Sequence, residues 1–110
     1  MFEKIKKIWK KNNRGNKMLD IEIGELKALD KNGAILLDVR SPQEYEEGHL
    51  GGAILLPEYE LKENANQILK NKKEVIIVYC SSGIRSKKAQ KELMELGYEY
   101  VYNLKGGLEN

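Results

Sequence analysis

Two nearly all-apolar runs constrain this chain most: "AILLDV" at residues 34–39 and "EVIIVYC" at 74–80. A strand with one wet face alternates apolar and polar side chains. These runs are apolar on both parities, so each belongs in a sheet covered on both faces. Segments with helical spacing lie between them. "GELKALDKNG" (24–33) is a short helix stopped by Asn32-Gly33, and Ser41 caps another that starts at Pro42. Leu61, Ala65, Ile68 and Leu69 share one face of a helix within 58–71, and Ala89, Leu93 and Leu96 mark a helix over 86–96 that Gly97 stops. "LDIEI" (19–23, with Leu19, Ile21 and Ile23 on one face), "AILL" (53–56) and "YEYVYNL" (98–104) complete the strands, and Tyr98, Tyr100 and Tyr102 would share one face of the last. Such alternation predicts an α/β fold with a mostly parallel sheet, 74–80 at its centre and helices on both faces. Ligands in sheets of this kind sit at the carboxyl ends of the strands.

The totals bound what such a fold can do. With 110 residues, 41% hydrophobic and 33% charged, the chain has room for one ordinary globular domain. One cysteine cannot close an internal disulfide, and one Cys with one His cannot complete a structural zinc site. The expected setting is therefore reducing and cytoplasmic, and no metal or cofactor is called for. Charge is unevenly placed. Residues 1–17 hold seven Lys/Arg against one acid, while the remaining twelve basic and sixteen acidic residues leave the body mildly acidic, which argues against nucleic acid as a partner.

The chain thus divides into a basic amphipathic segment (1–17) and a domain (18–110). In the first, Phe2, Ile5, Ile8 and Trp9 lie on one helical stripe with lysines opposite. Without a continuous apolar run the segment is neither a cleavable signal peptide nor a membrane span. It is a candidate for weak membrane-surface contact or for self-association.

The only cysteine, Cys80, ends the most apolar strand in "YCSSGIRSKKAQ". A strand-to-helix turn with small residues and a glycine lets backbone N–H groups point into one hollow. The helix expected from Ser86 adds the positive end of its dipole, and Arg85 adds a cation. All three favour thiolate over thiol, so Cys80 is expected to be a reactive nucleophile with a lowered pKa beside an anion-binding hollow. Ser81, Ser82 and Ser86 offer hydroxyl donors to that hollow.

Here a resemblance enters. "YCSSGIRSKKAQKELMELGYEYVYNLKGG" resembles the active-site half of single-domain rhodanese-like proteins, and "LLDVRSPQEYEEGHLGGAILLP" resembles that family's upstream signature, in the expected order. The resemblance covers about residues 18–109. It implies a five-stranded, mostly parallel sheet and sulfurtransferase chemistry. The cysteine matching Cys80 takes the outer sulfur of a small anionic donor such as thiosulfate, forms a persulfide, and passes the sulfur to cyanide, a thiol or a protein acceptor. The loop Ser81, Ser82, Gly83, Ile84 and Ser86 would cradle the persulfide, and Arg85 would hold the anion. Related phosphatases separate their cysteine and arginine by five residues, whereas four separate Cys80 from Arg85, a spacing that favours sulfur over phosphate. The alternative reading is a persulfide-carrying or partner-binding module with little free turnover.

Other residues fit a supporting role. The resemblance makes Asp38 and Arg40 of "DVR" a structural polar network, with Glu44 and Glu47 solvated or joined to it. His49 is expected to be hydrogen-bonded and structural, and Gly51 stands where the family often has proline. Lys87 and Lys88 are either plain surface residues or attractors of anionic donors, although cations in a first helical turn oppose the dipole.

Overall fold

The computed structural model describes residues 18–109. Five strands, β1 (Leu19–Ile21), β2 (Ile35–Asp38), β3 (Ile54–Leu55), β4 (Val75–Tyr79) and β5 (Tyr100–Leu104), form one sheet in the order β1-β5-β4-β2-β3. Every pairing in it is parallel. β4 lies at the centre and is buried along its whole length, as its unbroken apolar run requires. Four α-helices connect the strands: α1 (Ile23–Lys31), α2 (Pro42–Glu47), α3 (Leu61–Ile68) and α4 (Ile84–Glu95).

Both faces are covered. Leu37, Val39, Ile76, Val78, Cys80 and Val101 pack with Leu61 and Ala65 of α3 and Ala89 and Leu93 of α4. Leu36, Val75, Ile77, Tyr79 and Tyr102 pack on the other face with Leu26 and Leu29 of α1, and Tyr45 of α2 borders them. Period-2 alternation along each strand divides its side chains between the two layers. The cysteine therefore faces the α3/α4 layer.

Several boundaries differ from expectation. β1 ends at Ile21, because Glu22 starts a helix through a reciprocal capping box with Glu25; Ile23 is thus an exposed helical residue rather than a third strand position. Helix 58–71 resolves into a 3₁₀ turn at 58–60 followed by α3. Tyr98 precedes β5 and does not share a face with Tyr100 and Tyr102. It is fully buried in the α3/α4 layer, with its hydroxyl donating to the carbonyl of Leu69, whereas Tyr102 lies in the opposite layer. The expectations for residues 1–17 lie outside the described residues. Among the described residues no helix is long and apolar enough to cross a membrane.

Candidate active site

Cys80 follows β4 directly and is fully buried. Helix α4 begins at Ile84, two residues earlier than its apolar spacing indicates, so the turn comprises little more than Ser81, Ser82 and Gly83. Gly83 makes this possible. Its φ of +99° is left-handed, and a Cβ there would stand 3.4 Å from the Gly106 nitrogen. Gly83 is the N-cap and no side chain of the usual kind caps the helix. The sulfur takes that place. The Gly83 amide donates to Cys80 Sγ at 3.1 Å and the Ser86 amide, in the first helical turn, donates at 3.4 Å.

The Ser86 hydroxyl lies 3.4 Å from the same sulfur. Ser86 is buried, and its Oγ donates to Oδ1 of Asn103 on β5, whose Nδ2 in turn donates to Asp20 of β1 at 3.2 Å. The neutral thiol donates to Ser86 Oγ; once it ionises, the hydroxyl can donate to the sulfur by turning its single hydrogen away from Asn103 Oδ1. Burial pushes the Cys80 thiol up, but the hydrogen bonds from the Ser86 hydroxyl and from the Ser86, Gly83 and Ser82 amides outweigh it. The balance lies below the ordinary thiol range.

The remaining loop residues divide. Ser82 lends its amide to the sulfur and is otherwise exposed. Ser81 turns its hydroxyl away, donating to Glu44 Oε2 at 3.3 Å. Ile84 leaves its apolar side chain 78% exposed at the rim. Arg85 is not an open cation: Nη1 donates to Glu44 Oε1 at 2.8 Å and Nη2 to Oε2 at 2.9 Å, a two-bond pair. Of the three influences expected to favour the thiolate, the loop amides reach the sulfur directly, while the Arg85 guanidinium is paired with Glu44.

Two further pieces hold the loop from below. The Cys80 carbonyl accepts the Leu108 amide at 3.0 Å, and the Ser81 carbonyl accepts the Glu109 amide at 2.9 Å. Gly107 makes that approach, with a φ of +62° and no room for a Cβ, which would lie 2.4 Å from the Cys80 oxygen and 2.6 Å from the Ser81 oxygen. Sequence reasoning missed Gly107, Asn103, Asp20 and the role of Glu44. One signal was available for Asn103, a lone amide in the otherwise apolar "YVYNL".

The supporting residues behave largely as expected. Asp38 and Arg40 form a buried pair at 2.7 Å, and Arg40 Nη2 also donates to the Gly48 carbonyl, tying β2 to the segment after α2. His49 is hydrogen-bonded, its Nδ1 2.8 Å from the Tyr45 carbonyl and its ring stacked on Tyr45, but it is exposed rather than enclosed. Glu44 belongs to the loop, not to the Asp38–Arg40 pair. Lys87 and Lys88 each face a carboxylate at 3.3 Å, Asp20 and Glu58 respectively, which tempers their opposition to the helix dipole.

A family model for the rhodanese-like domain matches residues 22–110, a span that holds both the cysteine loop and the Asp38–Arg40 pair. The chain belongs to the rhodanese-like domain family. Among its relatives is the thiosulfate sulfurtransferase PspE of Escherichia coli, 39% identical over 74 residues, a match covering 67% of this chain and 70% of PspE. Another is the uncharacterized protein YqhL of Bacillus subtilis, 41% identical over 76 residues, where the chain spans 59% of the relative's length. The human single-domain sulfurtransferase TSTD1 superposes with a TM-score of 0.71 at 29% identity, over 80% of this chain and 89% of that one. This rhodanese-like domain is thus related to sulfurtransferases in sequence and in fold.

Proposed function

We propose that the protein is a sulfurtransferase that carries sulfane sulfur as a persulfide on Cys80. The observation that carries this reading is the position of Sγ at the N-terminus of α4, under the Gly83 and Ser86 amides and beside the Ser86 hydroxyl. That arrangement stabilises negative charge on sulfur, first the thiolate and then the persulfide anion. Its kinship with PspE supports thiosulfate as one donor.

The steps balance without a metal or a redox cofactor. The Cys80 thiolate attacks the outer sulfur of thiosulfate; the S–S bond of the donor breaks and sulfite leaves with the bonding pair. Cys80 is left as a persulfide anion at the helix terminus. A thiophilic acceptor, cyanide or a thiolate, then attacks the terminal sulfur, and Cys80 departs as thiolate. No side-chain base is invoked, because the hydrogen bonds to Sγ make the thiolate more accessible than in a free cysteine. Arg85 stands at the rim to receive an anionic donor once its pairing with Glu44 allows.

The test is intact mass of the reduced protein before and after thiosulfate, beside a Cys80→Ser control. The expected result is a gain of one sulfur atom, absent from the control and removed by cyanide. A folded protein with a free thiol that gains no sulfur from thiosulfate or from a thiol persulfide refutes the reading.

A further inference from the structure

The arginine expected to receive an anion is already occupied. Arg85 presents both Nη groups to the two oxygens of Glu44, at 2.8 and 2.9 Å, with side chains 40% and 31% exposed at the mouth of the cysteine loop. Glu44 is not a loose surface carboxylate that can swing aside. It is the N3 residue of α2, and its Oε1 also accepts the Ser41 amide at 3.0 Å and the Ser41 hydroxyl at 3.1 Å. The other oxygen accepts the Ser81 hydroxyl. Donors from α2's own capping box, the cysteine loop and α4 thus fix one negative charge in place. The Arg85 guanidinium, followed by the Ser41 amide, holds that carboxyl well below the usual carboxylate range, so it is ionised at any working pH.

The rest of the rim is balanced in the same way. Lys87 faces Asp20 and Lys105 faces Glu22, at 3.3 and 3.6 Å. Ile84 adds an exposed apolar side chain beside them. A dianion that approaches Arg85 must compete with a carboxylate that Arg85, Ser41 and Ser81 all hold, and it is repelled by that carboxylate meanwhile. A donor with one charge or none meets less opposition.

Building on the persulfide reading above, we propose that Glu44 is a specificity-determining residue that closes Arg85 against dianionic donors, so that the preferred sulfur source is a thiol persulfide rather than thiosulfate. In that transfer the Cys80 thiolate attacks the outer sulfur of R–S–SH. A Cys80–sulfur bond forms, the donor's S–S bond breaks, and the thiolate R–S⁻ leaves with the pair. Oxidation level is conserved and no co-reactant is consumed.

The test compares kcat/KM for 2-hydroxyethyl persulfide, which carries at most one negative charge, and for thiosulfate, with cyanide as common acceptor, in the wild type and in Glu44→Gln. Glutamine at N3 can keep the capping box while removing the charge. The wild type is expected to favour the persulfide at least about tenfold, and E44Q to narrow that preference about fivefold or more, chiefly through a lower KM for thiosulfate. A wild type that favours thiosulfate overturns the proposal without need of the variant. An unchanged or wider preference in E44Q also overturns it, since a carboxylate that merely orients Arg85 would affect both donors alike. Failure of both donors to load Cys80 removes the sulfur-transfer reading itself, a result distinct from loading without discrimination.

Discussion

Gly107 gives the sharpest check on how the cysteine loop is held. A Cβ at this position would lie 2.4 Å from the Cys80 oxygen, 2.6 Å from the Ser81 oxygen and 2.7 Å from the Ser81 carbonyl carbon. All three atoms are backbone, so no flexible side-chain end can yield. Two penalties act together in Gly107→Ala. Holding a non-glycine residue at φ +62° costs about 1–2 kcal/mol, and forcing a methyl against fixed backbone costs about 1–3 kcal/mol more. The sum, roughly 2–5 kcal/mol, is a large part of the 5–15 kcal/mol typical of a domain. For a domain of this size it lowers the melting temperature by about 10–30 °C. Two other glycines separate the terms. Gly52 has a φ of +81° and nothing within 4 Å of its virtual Cβ, so Gly52→Ala should show the backbone term alone, about 1–2 kcal/mol. Gly51 has open space and no left-handed φ, so Gly51→Ala should lie within about 0.5 kcal/mol of the wild type. Thermal and urea melts of the three variants supply the comparison. If Gly107→Ala proved no worse than Gly52→Ala, the close approach of the C-terminal turn to the Cys80 and Ser81 carbonyls would be refuted.

Two other consequences follow from the same geometry. The folded-state pKa of Cys80 is depressed, so alkylation by iodoacetamide should follow a titration with its midpoint below that of a free thiol; Ser86→Ala should move that midpoint upward, and an unmoved midpoint would exclude the hydroxyl as a contributor. The same shift has a stability sign: thiolate formation favours the native state above the folded pKa, the gain is complete above the unfolded pKa, and it is lost as pH falls through the folded one. The Asp38–Arg40 pair is buried at 0% and 8% side-chain exposure, so Asp38→Ala should cost about 3–5 kcal/mol in urea unfolding by stranding the guanidinium, whereas a cost below about 1 kcal/mol would mean that water reaches Arg40.

The local part of this protein was legible in its sequence. Apolar runs on both parities announced buried parallel strands, and helical spacing located the layers that cover them, because periodicity is written into neighbouring residues. The cysteine loop was also legible, since a strand end, a glycine and a helix start within seven residues leave few options for the backbone. Even there the sulfur's role as helix cap moved the start of α4 from Ser86 to Ile84, and spacing of apolar residues carries no information about a cap.

The residues alone specify a parallel α/β domain with its cysteine at the end of the central strand. What surrounds that sulfur is set by tertiary packing. The sheet order β1-β5-β4-β2-β3 pairs the first strand with the last, so Asp20 meets Asn103 from 83 positions away, and Glu44 clasps Arg85 across 41. A carboxylate in "SPQEYEEG" looks the same in sequence whether it faces water or an arginine. Its partner is fixed by strand order and crossover, which bring together groups that share no local pattern. At this site that distinction separates a solvated charge from one that governs which anions reach the arginine.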